Sequence, residues 1–465
     1  MELRDPIRRS TGLRALLSNW FVPVVLLALW PLGRFIETSP HVDPYYARIL
    51  MLIGINVILA TSLQLINGVS GQFSLGHAGF MAVGAYAAGF ATETYSTLPS
   101  EGDSGDPFVN PGGVLLFFVA LCAVLCLIAL LLWVVFLLVG LSGRVSCRLP
   151  PIVGFGLVLW FVIDLCVAAN SDHPGGFLVW HQFTVGLEKM FTLIMTHGMP
   201  VAVWGSGRLP IGWRKPISML VALAGAAAVA GAAGLLVGMP TLRLRGDYLA
   251  IATLGFGEII RVAITNSQAL GAATGMTGIP TYSDPDRDTG EQFHFISRWV
   301  LAFAFLTPLL VWRLSRSPRG RAIVAVREDE IAAAAVGINT TRQKVTAFVI
   351  GAAFAGIAGG IYAHYDGYLN PNEFGFMRSV EIVVMVTIAG LGNIWWTVLS
   401  AAALTYLPEF LRTIGQRIGH PQLSEWRMVI YALLLIAVPI SQAKLFPRLR
   451  NLLTRRSIAA PPGGR

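Results

Sequence analysis

Long apolar runs alternate along this chain with short polar connections. They fall near 20–36, 48–67, 72–92, 114–140, 151–169, 216–239, 248–266, 299–314, 345–366, 379–391, 394–411 and 427–443. Most approach the roughly 20 residues that an α-helix needs to cross about 30 Å of hydrocarbon. In lipid each backbone group must be satisfied inside its own segment, so runs of this length can only be helices. Several runs are short or interrupted by glycine. The pattern predicts an all-α, polytopic integral membrane helical bundle of about 10–12 transmembrane helices, some of them broken or re-entrant.

Charge placement sets the orientation. Lys and Arg accumulate on the cytoplasmic side of a membrane. With the N-terminus inside, alternate crossings place the acidic loop 93–113 (Glu93, Glu101, Asp103, Asp106) outside. Arg144 and Arg148, Arg243 and Arg245, the loop 315–344 and the basic tail from Lys444 to Arg456 fall inside. Arg208, Arg214 and Lys215 conflict with this scheme. Segment 175–204, with His181, Glu188, Lys189 and His197, is only moderately apolar and suits the interface as well as a span. Arg4, Arg8, Arg9 and Arg14 precede the first run, and no small-residue cleavage site follows it. The expectation is an uncleaved first span.

Composition narrows the class. Hydrophobic residues make up 55% of the 465 and charged ones 13%, so the bilayer must act as solvent. The net charge of +9 lies at helix ends and in short loops, with no basic face interleaved with aromatics, which argues against nucleic acid. Cys122, Cys126 and Cys166 sit in apolar runs and Cys147 in a basic loop; they read as packing residues, not redox chemistry. The chain divides into a cytoplasmic N-terminal tail 1–19, first spans 20–98, a segment 99–215 with two extra spans, a main unit 216–446 containing the loop 315–344, and a cytoplasmic tail 447–465.

Three constellations stand out. Gly68-Val69-Ser70-Gly71-Gln72-Phe73-Ser74-Leu75-Gly76-His77-Ala78-Gly79 is polar and glycine-dense where the chain should be crossing lipid. Free backbone at that depth is tolerated only against protein or a water-lined cavity, and discontinuous helices line substrate paths in transporters. Ser70, Gln72, Ser74 and His77 are therefore candidates for a translocation path, with close helix packing through small residues as the alternative. Glu258 and Arg261 lie three apart in an apolar run, share a helix face and can pair. Ionisable groups inside a span default to a functional hypothesis; a self-neutralising structural pair is the other reading. Thr277, in the loop that follows, joins the path candidates.

The third is cytoplasmic. Arg319 and Arg321 precede Glu328-Asp329-Glu330-Ile331-Ala332-Ala333-Ala334-Ala335-Val336-Gly337-Ile338. Acidic residues at 328–330 suit a helix N-terminus and Gly337 the position just past its end. The predicted helix 328–338 carries little side-chain bulk and an apolar stripe of Ile331, Ala335 and Ile338, a shape that fits a groove on a partner. Arg319, Arg321, Glu328, Asp329, Glu330, Ala334 and Gly337 are the docking candidates.

The stretches SGQFSLGHAGFMAVGAYAA, LRLRGDYLAIATLGFGEIIRV, GRAIVAVREDEIAAAAVGI, TRQKVTAFVIGAAFAGIAGGIYAHY and IAGLGNIWWTVLSAAALTYLPEFLR resemble, in this order, the permeases of branched-chain amino acid ABC importers. They are more similar to the M-type subunit than to its H-type partner. The resemblance covers roughly 45–95 and 216–445. It implies a bacterial inner-membrane permease heterodimer, two cytoplasmic ATP-binding subunits, a periplasmic substrate-binding protein and a coupling helix at 328–338 seated in the ATPase. Two features depart from the family pattern: the length of 99–215, and Gly275-Met276-Thr277-Gly278-Ile279 in place of a fuller double-glycine stretch.

The sequence holds no G-x-x-x-x-G-K-[ST], so ATP hydrolysis by a P-loop would have to come from a partner. No catalytic residue, metal site or cofactor is expected. Asp284, Asp286, Asp288 and Gly290 imitate a calcium loop, but the glycine falls one place late and Phe295 stands where the bidentate Glu belongs. An ion-coupled secondary transporter would lean on Glu258 and Asp164. A membrane-embedded enzyme would need clustered Asp, His or Glu, which the apolar runs lack.

Overall fold

The computed structural model describes residues 44–96, 211–241, 246–267, 270–281, 296–418 and 429–434, with isolated positions besides. The expected spans 20–36, 114–140, 151–169 and most of 427–443 lie outside these residues. So do segment 175–204, Arg243, Arg245, the four cysteines, Asp164 and nearly all of 99–215.

The described chain is helical, and among the described residues backbone pairing of strand type is limited to one bridge, Met276 with Leu369. Helix α1 (Pro44–Leu63) runs on into a π-turn, Gln64–Val69. Then follow α2 (His77–Ser96), α3 (Ile211–Thr241), α4 (Asp247–Asn266) and α5 (Ile296–Arg316). Two short helices, α6 (Pro318–Glu328) and α7 (Glu330–Ala335), precede the long α8 (Thr340–Asp366), and α9 (Phe376–Ala389) and α10 (Ile394–Ile418) complete the set. Six of the described helices are long and apolar enough to cross a membrane. The chain is thus an all-α polytopic membrane bundle. Helix α9, at 14 residues, rises only about 21 Å and cannot cross alone, so the run near 379–391 is a half-span.

Lipid tails are as apolar as leucine, so helices associate in a bilayer through close packing and interhelical hydrogen bonds. Glycine and alanine provide that packing here. Helix α8 lies centrally, against α1, α2 and α3. A methyl carbon on Gly84 of α2 would stand 2.3 Å from Gly356 Cα of α8, and one on Gly359 would stand 2.0 Å from the Met81 carbonyl oxygen. On its other side Gly356 leaves room for Ala226 and Ala230 of α3. Larger side chains fill part of the seam between α2 and α8, where Phe80 and Phe348 meet edge to face at 5.5 Å. Most of the apolar stretch of α1 is buried, whereas little more than a quarter of that of α4 is. Helix α1 is an interior element and α4 a peripheral one.

Two ends can be told apart. On one, the π-turn, the end of α6 and the α9–α10 turn meet. On the other, Arg48 of α1 pairs with Asp366 at 3.8 Å, and residues 270–281 fold against 364–369. The basic loop of α6 and α7 lies at the first end, the one that the charge pattern expects on the cytoplasmic side.

Candidate functional site

Helix α1 does not simply stop. Its last turn widens, with Ser70 N–H donating to Leu65 O (3.1 Å) and Gln72 N–H to Ile66 O (3.1 Å). Gly71 then takes a left-handed φ of +71° and the chain leaves helical geometry until His77. The donors exposed by this break are taken up by side chains from elsewhere: Ser74 N–H by Asn67 Oδ1 (3.1 Å), Leu75 N–H by Thr253 Oγ1 (3.1 Å) and Ala78 N–H by Ser379 Oγ (3.2 Å). His77 Nε2 lies 2.7 Å from Ser62 Oγ, so the chain has doubled back level with α1. This is a re-entrant elbow inside the bundle, held by α4 and α9.

Ser70, Gln72, Ser74 and His77 are therefore brought together, all buried. Ser70 Oγ donates to Ile66 O at 2.8 Å. Both ends of the Gln72 amide, Ser74 Oγ, Gln64 Oε1 and His77 Nδ1 find no partner among the described residues. A buried polar atom left unsatisfied costs about 1–3 kcal/mol, and native proteins concentrate such groups where water or a second conformation satisfies them. Of the two glycines in the middle of α4, Gly255 faces open space and Gly257 packs on the break. Gly257 lets Gly79 approach, since a methyl carbon on Gly79 would lie 2.9 Å from Gly257 Cα.

Glu258 and Arg261 pair as their spacing predicts, Nε to Oε2 at 2.7 Å. The other carboxylate oxygen accepts from Phe376 N–H at 3.0 Å, and Arg261 also reaches Asn372 Oδ1 at 3.4 Å. Glu258 thus puts a negative charge on the N-terminus of α9, where the helix dipole favours it. The two residues join the half-span to α4. Thr277 is exposed beside the Met276–Leu369 bridge and belongs with the external loop.

A second charged pair was not among the sequence candidates. Arg378 and Glu381 of α9 pair at 3.0 Å, Arg378 donates to Asn56 Oδ1 of α1 at 2.7 Å, and Asn56 Nδ2 donates to Thr405 Oγ1 of α10 at 2.8 Å. The signal was present: Arg378 and Glu381 have the same three-residue spacing inside an apolar run as Glu258 and Arg261.

At the basic end the expected single helix 328–338 is divided, with Glu328 closing α6 and Glu330–Ala335 forming α7. Ser317 caps α6 by accepting from Gly320 N–H at 3.1 Å, with Pro318 in the first turn. The backbone of Asp329 is extended (φ −154°, ψ 109°), which ends α6 and starts α7. Its carboxylate accepts from Ile331 and Ala332 N–H at 2.8 and 3.0 Å, so Asp329 is the cap and Glu328 belongs to the preceding helix. At the far end Gly337 (φ +85°) donates to Ala334 O and Ile338 N–H to Ala333 O, both at 3.0 Å, the paired bonds of a Schellman motif. Glu330 bonds Lys344 of α8 at 2.8 Å and ties the short helix to the membrane domain. Ala333 faces inward, while Ile331 and Val336 are 78% and 76% exposed, with Ala334 and Gly337 beside them. Arg319 and Arg321 are exposed on α6, and Arg321 donates to Arg316 O at 3.2 Å. A helix of six residues fixed at both ends, with apolar side chains turned to water, presents a rigid knob.

Residues 176–439 match the family model described as the branched-chain amino acid transport system / permease component. The chain belongs to this permease family. The matched span takes in α3 to α10 and begins within the 99–215 segment. Among curated members, the chain is 37% identical over 211 residues to LivM, a high-affinity branched-chain amino acid transport system permease protein, of Escherichia coli K12, covering 40% of this chain and 50% of that one. It is 35% identical over 96 residues to the LivH permease protein of the same strain, covering 21% and 30%. It is 28% identical over 251 residues to LsrC, an autoinducer 2 import system permease protein of Enterobacter sp. 638, covering 53% and 68%. The chain thus spans about half the length of the LivM relative. No solved structure matches it.

Proposed function

We propose that this chain is the transmembrane permease subunit of an ATP-driven importer in a bacterial inner membrane. It pairs with a second permease subunit and draws its energy from two separate cytoplasmic ATP-binding subunits. A periplasmic substrate-binding protein delivers a branched-chain amino acid, and the chain passes it to the cytoplasm. The observation that carries this reading is α7: a short helix, capped by Asp329 and Gly337, that exposes Ile331 and Val336 at the basic end of the bundle. Exposed apolar groups on a rigid cytoplasmic knob suit a groove on another protein. LivM and LivH, whose names specify a branched-chain substrate, support the solute class.

In the mechanism that follows, ATP binding displaces α7, and the break at 64–77 repacks around the path. Ser70, Gln72, Ser74 and His77 take part at the break. Glu258 and Arg261 hold α9 to α4 as access alternates, and Thr277 lies at the outer mouth. The unspent hydrogen-bonding capacity of Gln72 and Ser74 supports a second arrangement in which those groups are satisfied. Similarity to LsrC, over a larger share of both chains, favours a second reading in which the cargo is another small solute.

Tagged chain purified in mild detergent from its host tests the proposal. Two P-loop ATPases and a second permease should co-purify, and the cognate binding protein should take leucine, isoleucine or valine. A chain that emerges alone and monodisperse refutes the importer assignment. A binding protein that ignores amino acids and takes another solute selects the second reading.

A further inference from the structure

Resting on the importer reading, we infer that Arg327 is the positioning residue that ties the coupling elbow formed by α6 and α7 to the helix break at 64–77. It occupies the last turn of α6, two residues before the cap of α7. Its Nη1 donates to Gly68 O at 2.5 Å. Gly68 belongs to the π-turn at the end of α1, where carbonyls have no following turn to accept from. A guanidinium on such a carbonyl is a charge-assisted cap with a favourable helix-dipole term.

The surroundings are shaped for this arm. A methyl carbon on Gly71 would lie 2.7 Å from Arg327 Cγ, so the arm runs across the one residue of the break that has a positive φ. A methyl carbon on Gly392 would lie 3.3 Å from Arg327 Nη1, and one on Gly68 would lie 2.6 Å from Gly392 N. Gln64 Nε2 donates to Gly390 O at 2.9 Å. The π-turn, the α9–α10 turn and the end of α6 therefore meet at one guanidinium. Glu328 is a poor competitor for it, at 3.8 Å and mostly exposed. A displacement of α7 reaches α8 through the Glu330–Lys344 pair and the π-turn through the end of α6, where Arg327 is the polar link.

The link is specific to Arg. Lysine offers a single point charge that can still reach one carbonyl, and methionine fills the same channel without a donor. The test uses the whole complex in proteoliposomes, with uptake and ATP hydrolysis measured together. Arg327→Met should assemble with the ATPase subunits and keep basal hydrolysis. Stimulation by loaded binding protein and uptake should each fall about tenfold or more, as expected for loss of a charge-assisted hydrogen bond. Arg327→Lys should recover part of both. Gly71→Ala, which pushes the arm aside without altering its charge, should reproduce the uncoupled behaviour. Wild-type uptake together with wild-type stimulation of hydrolysis in Arg327→Met overturns the inference. So does equal loss of assembly or basal hydrolysis in the Met and Lys variants, which marks a residue needed only for folding. Failure of the unmutated chain to bind any ATPase would instead remove the importer reading itself.

Discussion

Gly337 offers the sharpest quantitative test of the elbow. Its φ of +85° lies in the left-handed region, and a methyl carbon added there meets nothing within 4 Å. Alanine at 337 therefore pays only for conformation, about 1–2 kcal/mol. Asparagine, which visits this region routinely, costs less. Proline cannot reach the angle and also removes the N–H that bonds Ala334 O at 3.0 Å, a loss of about 3 kcal/mol or more. Helix α7 has six residues and little reserve, since a single turn is marginal without its caps. These costs convert almost directly into lost occupancy of the formed knob. Uptake of labelled leucine into cells should fall in the order Gly, Asn, Ala, Pro, with Ala reduced about 5- to 30-fold and Pro near background. Membrane abundance should stay constant, because the change lies outside the spans. Equal uptake by Ala and Pro variants, or wild-type uptake by Pro, would show that the geometry of α7 does not transmit force.

Charge reversal separates the tether from the docking face: Glu330→Lys should abolish uptake, and adding Lys344→Glu should restore the 2.8 Å pair and part of the activity, as a double-mutant uptake assay would read. Recovery should be incomplete if Glu330 also meets the ATPase, and full recovery would confine its role to the tether. Two glycines of similar composition should behave oppositely in detergent melting. Gly359→Ala, which drives a methyl onto Met81 O at 2.0 Å, should lose about 1–3 kcal/mol. Gly231→Ala, whose nearest neighbour would be 3.6 Å away, should gain up to about 1 kcal/mol from helix propensity. Arg378→Met should lower the melting temperature more than Glu381→Gln does, because it strands Glu381 and Asn56 Oδ1 together, whereas glutamine still accepts from Arg378.

Much of this protein was legible from the chain alone. Apolar length dictates helices in lipid, and α4 begins and ends where its run meets polar residues, whereas α5 and α8 continue past the charged residues at their ends. Gly337 after an alanine run, with acids before it, announces a capped helix, because capping is a local matter of a few consecutive residues. The exact break at Asp329 was less visible, since Glu328, Asp329 and Glu330 can each accept from a helix N-terminus, and the choice fell to the residue whose backbone is extended. Glu258 and Arg261 were expected to pair because three residues on a helix fix their separation. That the same carboxylate caps α9, 118 residues later, depends on where a half-span comes to rest, and no local pattern encodes it. Arg327 was hidden for the same reason. Its partner is a backbone carbonyl 259 residues away, and every residue type has one. Sequence names the groups that can cap, pair or break a helix; only the packing of α1 against α6, α8 and α9 decides which of them meet.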